Sequence, residues 1–313
     1  MWSNREMLAH VLTRISPCRE LGWLRYLANG LSLIHDRNDG CHFFSCGIAS
    51  NNSQHRWLRH SGIFPCFLDR WLINSECSRL RAVDAPVVVD LGYGATPRTT
   101  WELRERLHLH VGTHIDVVGV EIDPERVVAA KSLMDKSLSF IRGGFEVPIQ
   151  GRASVIRALN VLRQYDEADV VPAWNRMTQR LEPGGLLIEG TCDEIGRRAV
   201  WIALRTGAAG EAVPESLTIS VHLQSLEQPS DIAPRLPKIL IHRNVPGEPI
   251  HDVLLRLDDA WERSAPHATF GSRQRWLETL KYATAQGLPT LDNQSRWRLG
   301  EVTLPWDCVK PTP

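Results

Sequence analysis

A glycine-containing turn and an acidic residue further along the chain could together bind a nucleoside. The turn, Asp90-Leu91-Gly92-Tyr93-Gly94, directly follows a run of valines. Gly92 and Gly94 allow positive φ and let the backbone approach a ligand without interference from a Cβ atom. Glu121 ends the next apolar run, where a carboxylate can accept both hydroxyls of a ribose. These residues predict a site for an adenosine-type ligand.

Pro97 separates two classes of such ligand. A dinucleotide-binding turn has a third glycine at this position, so that the following helix packs closely and its N-terminus holds a pyrophosphate. Pro97 removes a backbone N–H there. S-adenosyl-L-methionine (SAM) has no phosphate, its carboxylate can bind the backbone of the turn, and Asp90 is placed to meet its ammonium group. The turn therefore favours SAM over a nicotinamide dinucleotide.

The elements that must position these residues alternate between strand and helix. Apolar runs predict strands at 87–89, 117–121, 138–142, 153–159 and 186–189. The segments between them predict helices, one of which runs from Glu125 to about Asp135, and Pro183-Gly184-Gly185 predicts a turn before the last of these strands. This alternation implies a parallel sheet with helices on both faces. Two later apolar segments, at 198–204 and 217–223, predict an antiparallel edge pair. The expected fold class is α/β, with a Rossmann-like, seven-stranded, mostly parallel sheet.

The chain divides into two predicted parts. Residues 1–82 are expected to form a helical N-terminal segment that covers the cleft, and residues 83–313 the SAM-binding domain, with C-terminal helices from about 250. Helical spacing places five apolar residues on one face, which predicts a helix that docks on a larger body. These five apolar residues are Phe64, Phe67, Leu68, Trp71 and Leu72. Asp69 is expected to lie off their face of the helix. The last residues, rich in Pro and Thr, are expected to be loose.

Three ordered motifs resemble those of class I SAM-dependent methyltransferases. They lie at 88–94, 118–123 and 181–187, within a match that covers roughly residues 83 to 191. The resemblance implies that the glycine turn holds the methionyl part of SAM, that the acid of the second strand holds the ribose, and that the next residue contacts the adenine. The cofactor-binding residues implied in this way are Asp90, Gly92, Tyr93, Gly94, Glu121, Ile122, Gly144, Phe145 and Asn160.

One motif departs from the family pattern. Many members place an acid after the third strand to bind the adenine amino group, whereas this chain has Gly143-Gly144-Phe145-Glu146. Phe145 is expected to cover the adenine face and Glu146 to reach the amino group.

The acceptor is not revealed by the sequence. Asn160 follows the fourth predicted strand without the proline and aromatic residues of base-amino methyltransferases or the Pro-Cys pair of pyrimidine-ring enzymes. Asn160 is the candidate catalytic residue near the methyl group, although a structural hydrogen bond to a neighbouring loop is at least as good an interpretation. Asp193, Glu194 and His242 are further candidates because each follows a predicted strand.

The expected activity is methyl transfer to an oxygen or nitrogen atom of a small molecule or protein, which are favoured over RNA. Two alternatives remain open. One is a nicotinamide-dependent oxidoreductase, and the other is a non-catalytic methyltransferase-like binding module. The oligomeric state stays open.

Composition limits the remaining classes. The 313 residues carry a formal net charge of zero, so the chain lacks the excess of basic residues that would indicate a nucleic-acid partner. Seven cysteines at irregular spacing predict reduced thiols in the cytoplasm. The N-terminus lacks the pattern of a signal peptide, and no apolar run is long enough to span a membrane.

Two groups of residues in the N-terminal part of the chain allow both a functional and a purely structural interpretation. Cys41, Cys46, His55 and His60 follow the order of two-Cys, two-His zinc sites, but their spacing does not suit a finger, and we expect no metal. A set of arginines could contact RNA, although a solvated, charged helix face is the favoured interpretation. The set consists of Arg56, Arg59, Arg70, Arg79 and Arg81.

Overall fold

The computed structural model describes residues 66–194 and 196–312. The strands are β1 (Val87–Leu91), β2 (Asp116–Glu121), β3 (Leu138–Arg142), β4 (Ala153–Leu159), β5 (Leu181–Cys192), β6 (Arg198–Thr206), β7 (Ala212–Val221) and β8 (Glu301–Pro305). The helices are α1 (Cys66–Ala82), α2 (Arg98–His110), α3 (Pro124–Ala130), α4 (Glu167–Thr178), α5 (Lys238–Ile241), α6 (Pro249–Arg263), α7 (Ser272–Ala285) and α8 (Gln294–Trp297). Among these helices, none combines the length and apolarity that crossing a bilayer requires.

All strands of the described residues form one sheet in the order β3-β2-β1-β4-β5-β6-β7-β8. Neighbours among the first five strands are parallel, and the three pairs from β5 to β8 are antiparallel. Chain order reverses between β1 and β4, which makes that edge a topological switch point, the usual ligand position in such sheets. The predicted Rossmann-like α/β class is confirmed.

The sheet has eight strands rather than seven, because residues expected to be loose form β8. Thr303 pairs with Thr218 of β7, and the two hydroxyls are 3.0 Å apart. Val302 and Leu304 are fully buried within this short strand. Their alternation with threonine is a strand pattern, which the prolines of this tail obscured. The antiparallel end of the sheet therefore has three strands beyond β5, whereas a pair was predicted.

Helices cover both faces of the sheet, as predicted. Val88 and Val89 point to opposite faces because side chains alternate along a strand. Val88 packs in a core with α1 and α2, whereas Val89 belongs to the larger core that includes α4, α6 and α7. The two C-terminal helices α6 and α7 are confirmed. The sheet is therefore buried on both sides, and its ligand-accessible parts are the loops at the strand ends.

The helix predicted around residue 68 is confirmed as α1, although Phe64 lies outside the described residues. Leu68 and Leu72 are buried, and the Trp71 ring packs edge-on against Trp201 with 5.7 Å between centroids. Asp69 was expected to lie off the packed face, but it is fully buried. The reason is an ion-pair network that the apolar pattern does not report. The cleft-covering role of residues 1–82 stays a prediction.

Two element boundaries differ from expectation. Helix α3 ends at Ala130, five residues short of the predicted end, and continues only as a short 3₁₀ turn. The predicted turn Pro183-Gly184-Gly185 lies inside β5, where Gly184 has φ of 75° and the pairing with β4 shifts register. Strand β5 is therefore longer than its apolar run suggested.

Candidate functional site

The glycine turn leaves β1 at the carboxyl edge of the sheet. Gly92 and Gly94 have φ of 70° and 79°, in the left-handed region that favours glycine. A Cβ atom at Gly92 would lie 2.5 Å from Cγ2 of Val161, whereas one at Gly94 would meet no atom within 4 Å. Gly92 is thus required by packing against the loop after β4. Gly94 instead presents its backbone to open space, as a ligand cradle does.

Glu121 holds this turn in place from the neighbouring strand. Its Oε2 accepts the N–H of Gly94 at 2.9 Å, and its Oε1 accepts the N–H groups of Ile122 and Asp123 at 3.0 and 3.3 Å. A carboxylate offers roughly four acceptor positions. Glu121 can therefore accept one ribose hydroxyl at Oε2 with the turn as it stands, and the predicted bidentate contact requires one of its three backbone hydrogen bonds to be released.

The buried carboxylate of Asp90 is occupied by two side-chain partners. Its Oδ1 accepts Nε of Arg157 at 2.9 Å, and its Oδ2 accepts the Thr100 hydroxyl at 2.7 Å. Arg157 lies beside Asp90 on β4, and Thr100 lies on α2. The carboxylate therefore ties β1 to its neighbours beneath the turn. A contact between Asp90 and the SAM ammonium group stays a prediction.

Arg157 and Asp69 extend this buried network to α1. Arg157 is 1% exposed, and its Nη1 donates to Oδ1 of Asp69. The other oxygen of Asp69 accepts from Arg106 of α2. Burial raises the pKa of Asp69, and the two arginines oppose that rise. The sequence analysis missed this network, although an arginine within the apolar run at 153–159 was a signal for a buried partner.

Asn160 joins the loops that follow β4 and β5. Its Oδ1 accepts the N–H of Cys192 at 3.0 Å, its Nδ2 lies 3.2 Å from the Cys192 sulfur, and its own N–H donates to Gly190 at 2.8 Å. Its φ of 59° is unusual for a residue other than glycine. These contacts match the structural interpretation of Asn160, and its catalytic role stays a prediction.

A cavity of about 370 Å³ lies at the ends of β4 and β5. It brings together three predicted residues, Asn160, Asp193 and Glu194, with two arginines that the sequence analysis did not single out. His242 is not among its lining residues and lies 3.4 Å from Lys238 of α5. The described residues around the cavity are Asn160, Arg163, Gln164, Cys192, Asp193, Glu194 and Arg235.

The predicted adenine contacts lie on the loops after β2 and β3. Ile122 is 64% exposed, as a residue that contacts a ligand face can be. Phe145 packs against Tyr165 of the loop after β4, with 5.1 Å between ring centroids. Glu146 accepts the N–H of Gly144 at 2.8 Å and so closes its own loop. An adenine contact by Glu146 would require this hydrogen bond to be shared or broken.

Tyr93 contributes its backbone, rather than its ring, to the turn. The ring is buried and packs edge-on against Phe140 at 5.3 Å. Its hydroxyl has no hydrogen-bond partner among the described residues. Burial, with Glu121 and Asp90 nearby, raises the pKa of Tyr93 to about 12.

The arginines considered for RNA binding are occupied where the structure describes them. Arg70 pairs with Glu301, and Arg79 pairs with Glu76 and Glu182. Arg81 donates to the backbone carbonyls of His110 and Val111 at the end of α2. Arg56, Arg59 and the four zinc candidates lie outside the described residues. Within the described ranges, no group of three His, Cys, Asp or Glu side chains is arranged to hold a metal.

No protein-family model and no curated protein sequence matches this chain. Several solved structures are similar to part of it. The plantazolicin methyltransferase BamL is 15% identical over 41% of this chain and 45% of its own, with a TM-score of 0.33. Magnesium protoporphyrin IX methyltransferase from Synechocystis PCC 6803 is 16% identical over 40% and 53%, with a TM-score of 0.31.

A SAM-dependent methyltransferase from Mesorhizobium loti is 20% identical over 37% of this chain and 53% of its own, with a TM-score of 0.27. This chain thus spans about half the length of each of these proteins.

Proposed function

We propose that this protein is a SAM-dependent methyltransferase that acts on an oxygen or nitrogen atom of a small molecule or protein. The observation that carries the proposal is the open backbone cradle at Gly94, which is hydrogen-bonded to the acid that ends β2. A left-handed glycine with free space at its Cβ position admits a ligand against the backbone. An acid at the end of the neighbouring strand supplies the acceptor for that ligand's sugar.

The residues present fit SAM at this edge of the sheet. The N–H groups of Gly92 and Gly94 already donate to Val120 and Glu121, so the N–H of Tyr93 between them would hold the methionyl carboxylate. Glu121 would hold a ribose hydroxyl, and Ile122 with Phe145 the adenine. When bound, SAM supplies a methyl group already activated on a sulfonium. The protein then contributes mainly proximity and alignment, which are worth about 7–11 kcal/mol in well-oriented systems. The Asn160–Cys192 contacts fix the loop that faces the turn.

The start of α2 argues against the nicotinamide alternative. Pro97 occupies the N-cap position of this helix and makes no side-chain cap hydrogen bond. A dinucleotide site uses free N–H groups at this helix end to hold a pyrophosphate. The missing N–H of Pro97 weakens such a site without affecting a phosphate-free cofactor.

Isothermal titration calorimetry with SAM, its demethylated product and NAD⁺ tests the proposal, with Gly94→Ala as the variant. Gly210 is a matched control because its φ of 86° is also left-handed and a Cβ there also meets nothing within 4 Å. Both substitutions incur similar backbone strain of about 1 kcal/mol. We expect only Gly94→Ala to weaken SAM binding. Binding of NAD⁺ by the wild type, or equal behaviour of the two variants, contradicts the proposal.

Methyl-labelled SAM incubated with fractionated cell extract tests catalysis. Label that enters small molecules or protein supports the enzyme. SAM binding without transfer to any fraction favours the non-catalytic module instead. The cytoplasmic location stays a prediction, and it agrees with three free thiols among the described residues, at Cys77, Cys192 and Cys308.

A further inference from the structure

The cavity at the ends of β4 and β5 presents two guanidinium groups that the proposed cofactor contacts do not use. We propose that Arg163 and Arg235 bind a carboxylate group of the methyl acceptor, which is therefore a small organic acid. This inference rests on the proposed function, because it names the substrate class for the same site.

The cavity is suitably sized and placed for an acceptor. Its volume of about 370 Å³ lies within the range of small-molecule sites. Asn160 lines the cavity, and the next residue, Val161, packs against Gly92 of the glycine turn. One loop therefore forms a wall of the cavity and also supports the proposed cofactor site. A molecule in the cavity would lie beside that site.

Both arginines keep N–H donors available. Among the described residues, the ion pair of Arg235 is with Glu194, 3.8 Å away, which is too long for a hydrogen bond. Arg163 donates from Nη1 to the carbonyl oxygen of Pro234 at 2.9 Å. A guanidinium group offers several further donors in a planar fork, and that fork matches the two oxygens of a carboxylate.

Among the described contacts, neither acid of the cavity wall is hydrogen-bonded to these two arginines. Asp193 accepts the N–H of Arg197 at 2.7 Å and so holds its own turn. The Glu194 side chain is 88% exposed, so solvent screens its attraction to Arg235. Burial raises the pKa of the Cys192 thiol to about 11, which keeps it neutral at physiological pH. An incoming carboxylate can therefore take the place of Glu194 beside Arg235.

Ligand-observed NMR titrations can test this assignment with simple probes. Benzoate and glutarate are compared with their neutral amides, benzamide and glutaramide, in the presence of the saturating demethylated cofactor. We expect each carboxylate to bind at least about tenfold more tightly than its amide, because charge-assisted hydrogen bonds to arginine are lost in the amide. Arg235→Gln and Arg163→Gln should each weaken carboxylate binding and leave amide binding unchanged.

The control is Arg176→Gln, which removes an exposed arginine of α4 that does not line the cavity. Equal affinity for acids and amides, or unchanged acid binding in both cavity variants, overturns the inference. A parallel loss of SAM affinity in Arg235→Gln also overturns it, because the arginine would then hold the carboxylate of the cofactor. Carboxylate binding by a wild type that does not bind SAM overturns the proposed function and leaves the anion site standing.

Discussion

Replacing Arg157 with methionine should test the buried network that links β1, β4 and α1. Arg157 donates to Asp90 from Nε at 2.9 Å and to Asp69 from Nη1, and its Nη2 forms an ion pair with Oδ2 of Asp90 at 2.8 Å. The substitution leaves two buried carboxylates, which are 4% and 0% exposed, without their shared cation. Removing one partner from a buried ion pair costs about 3–5 kcal/mol.

We therefore expect the free energy of unfolding to fall by about 3–5 kcal/mol. A domain of this size loses roughly 2–4 °C per kcal/mol, so the melting temperature should fall by roughly 6–20 °C. Urea denaturation followed by tryptophan fluorescence and circular dichroism measures the first quantity. The control is Arg180→Met, since Arg180 donates only to the backbone carbonyls of Val147, Ile149 and Gly151, and its loss leaves no buried charge.

The pH dependence gives a second measurement. Burial already raises the pKa of Asp69 in the wild type, and Arg157 opposes that rise. Without Arg157 the folded-state pKa rises further. The variant loses stability because its buried Asp69 carboxylate is charged without Arg157 beside it. This loss of unfolding free energy is absent at low pH, where the Asp69 carboxyl is protonated, and it appears as pH rises through the raised pKa. The stability gap between variant and wild type should therefore narrow as pH falls, and adding Asp69→Asn should restore part of the loss. A pH-independent loss below about 1 kcal/mol would refute the reasoning.

Three further predictions concern single positions. Burial raises the pKa of Glu189 to about 8, so the folded protein keeps a proton that the unfolded chain has lost. Stability should thus decline as pH rises from the ordinary glutamate pKa to about 8, and urea titrations of Glu189→Gln should lack this decline. Asn160→Ala should be less stable than Asn160→Gly by about 1 kcal/mol, because only glycine relieves the positive φ; equal stabilities would argue against strain there. Leu304→Ala should lower the free energy of unfolding by about 2–5 kcal/mol in chemical denaturation, because Leu304 is fully buried. The control Leu299→Ala, at a partly exposed leucine, should lower it little. A small effect of both substitutions would contradict a packed β8.

The parallel half of the fold was predictable because its signals are local. Apolar runs rich in β-branched residues, such as Val117–Val120, indicate buried parallel strands when charged helices separate them. The glycine turn and Glu121 were predictable for the same reason, since each directly follows such a run. The structure confirms that these two features lie together, with Gly94 bonded to Glu121.

The parts that were missed depend on contacts between distant residues. Asp69 and Arg157 are 88 positions apart in the chain, and nothing in the helical spacing around Asp69 indicates a buried partner. The short strand β8 lies in a tail rich in proline and threonine that hides its alternation, and it is stabilised by pairing with β7. Arg163 and Arg235 converge on one cavity only after the loops have folded.

The late position of β8 has a consequence for how the chain is made. Thr218 and Thr303 pair across the sheet although 85 positions separate them, so synthesis must continue well past β7 before its partner exists. Until then β7 presents an open row of backbone donors and acceptors, a template on which another unfinished chain can pair. Domains fold from the N-terminus during translation, so nascent or prematurely terminated chains that end before β8 should be the form that aggregates and that chaperones retain.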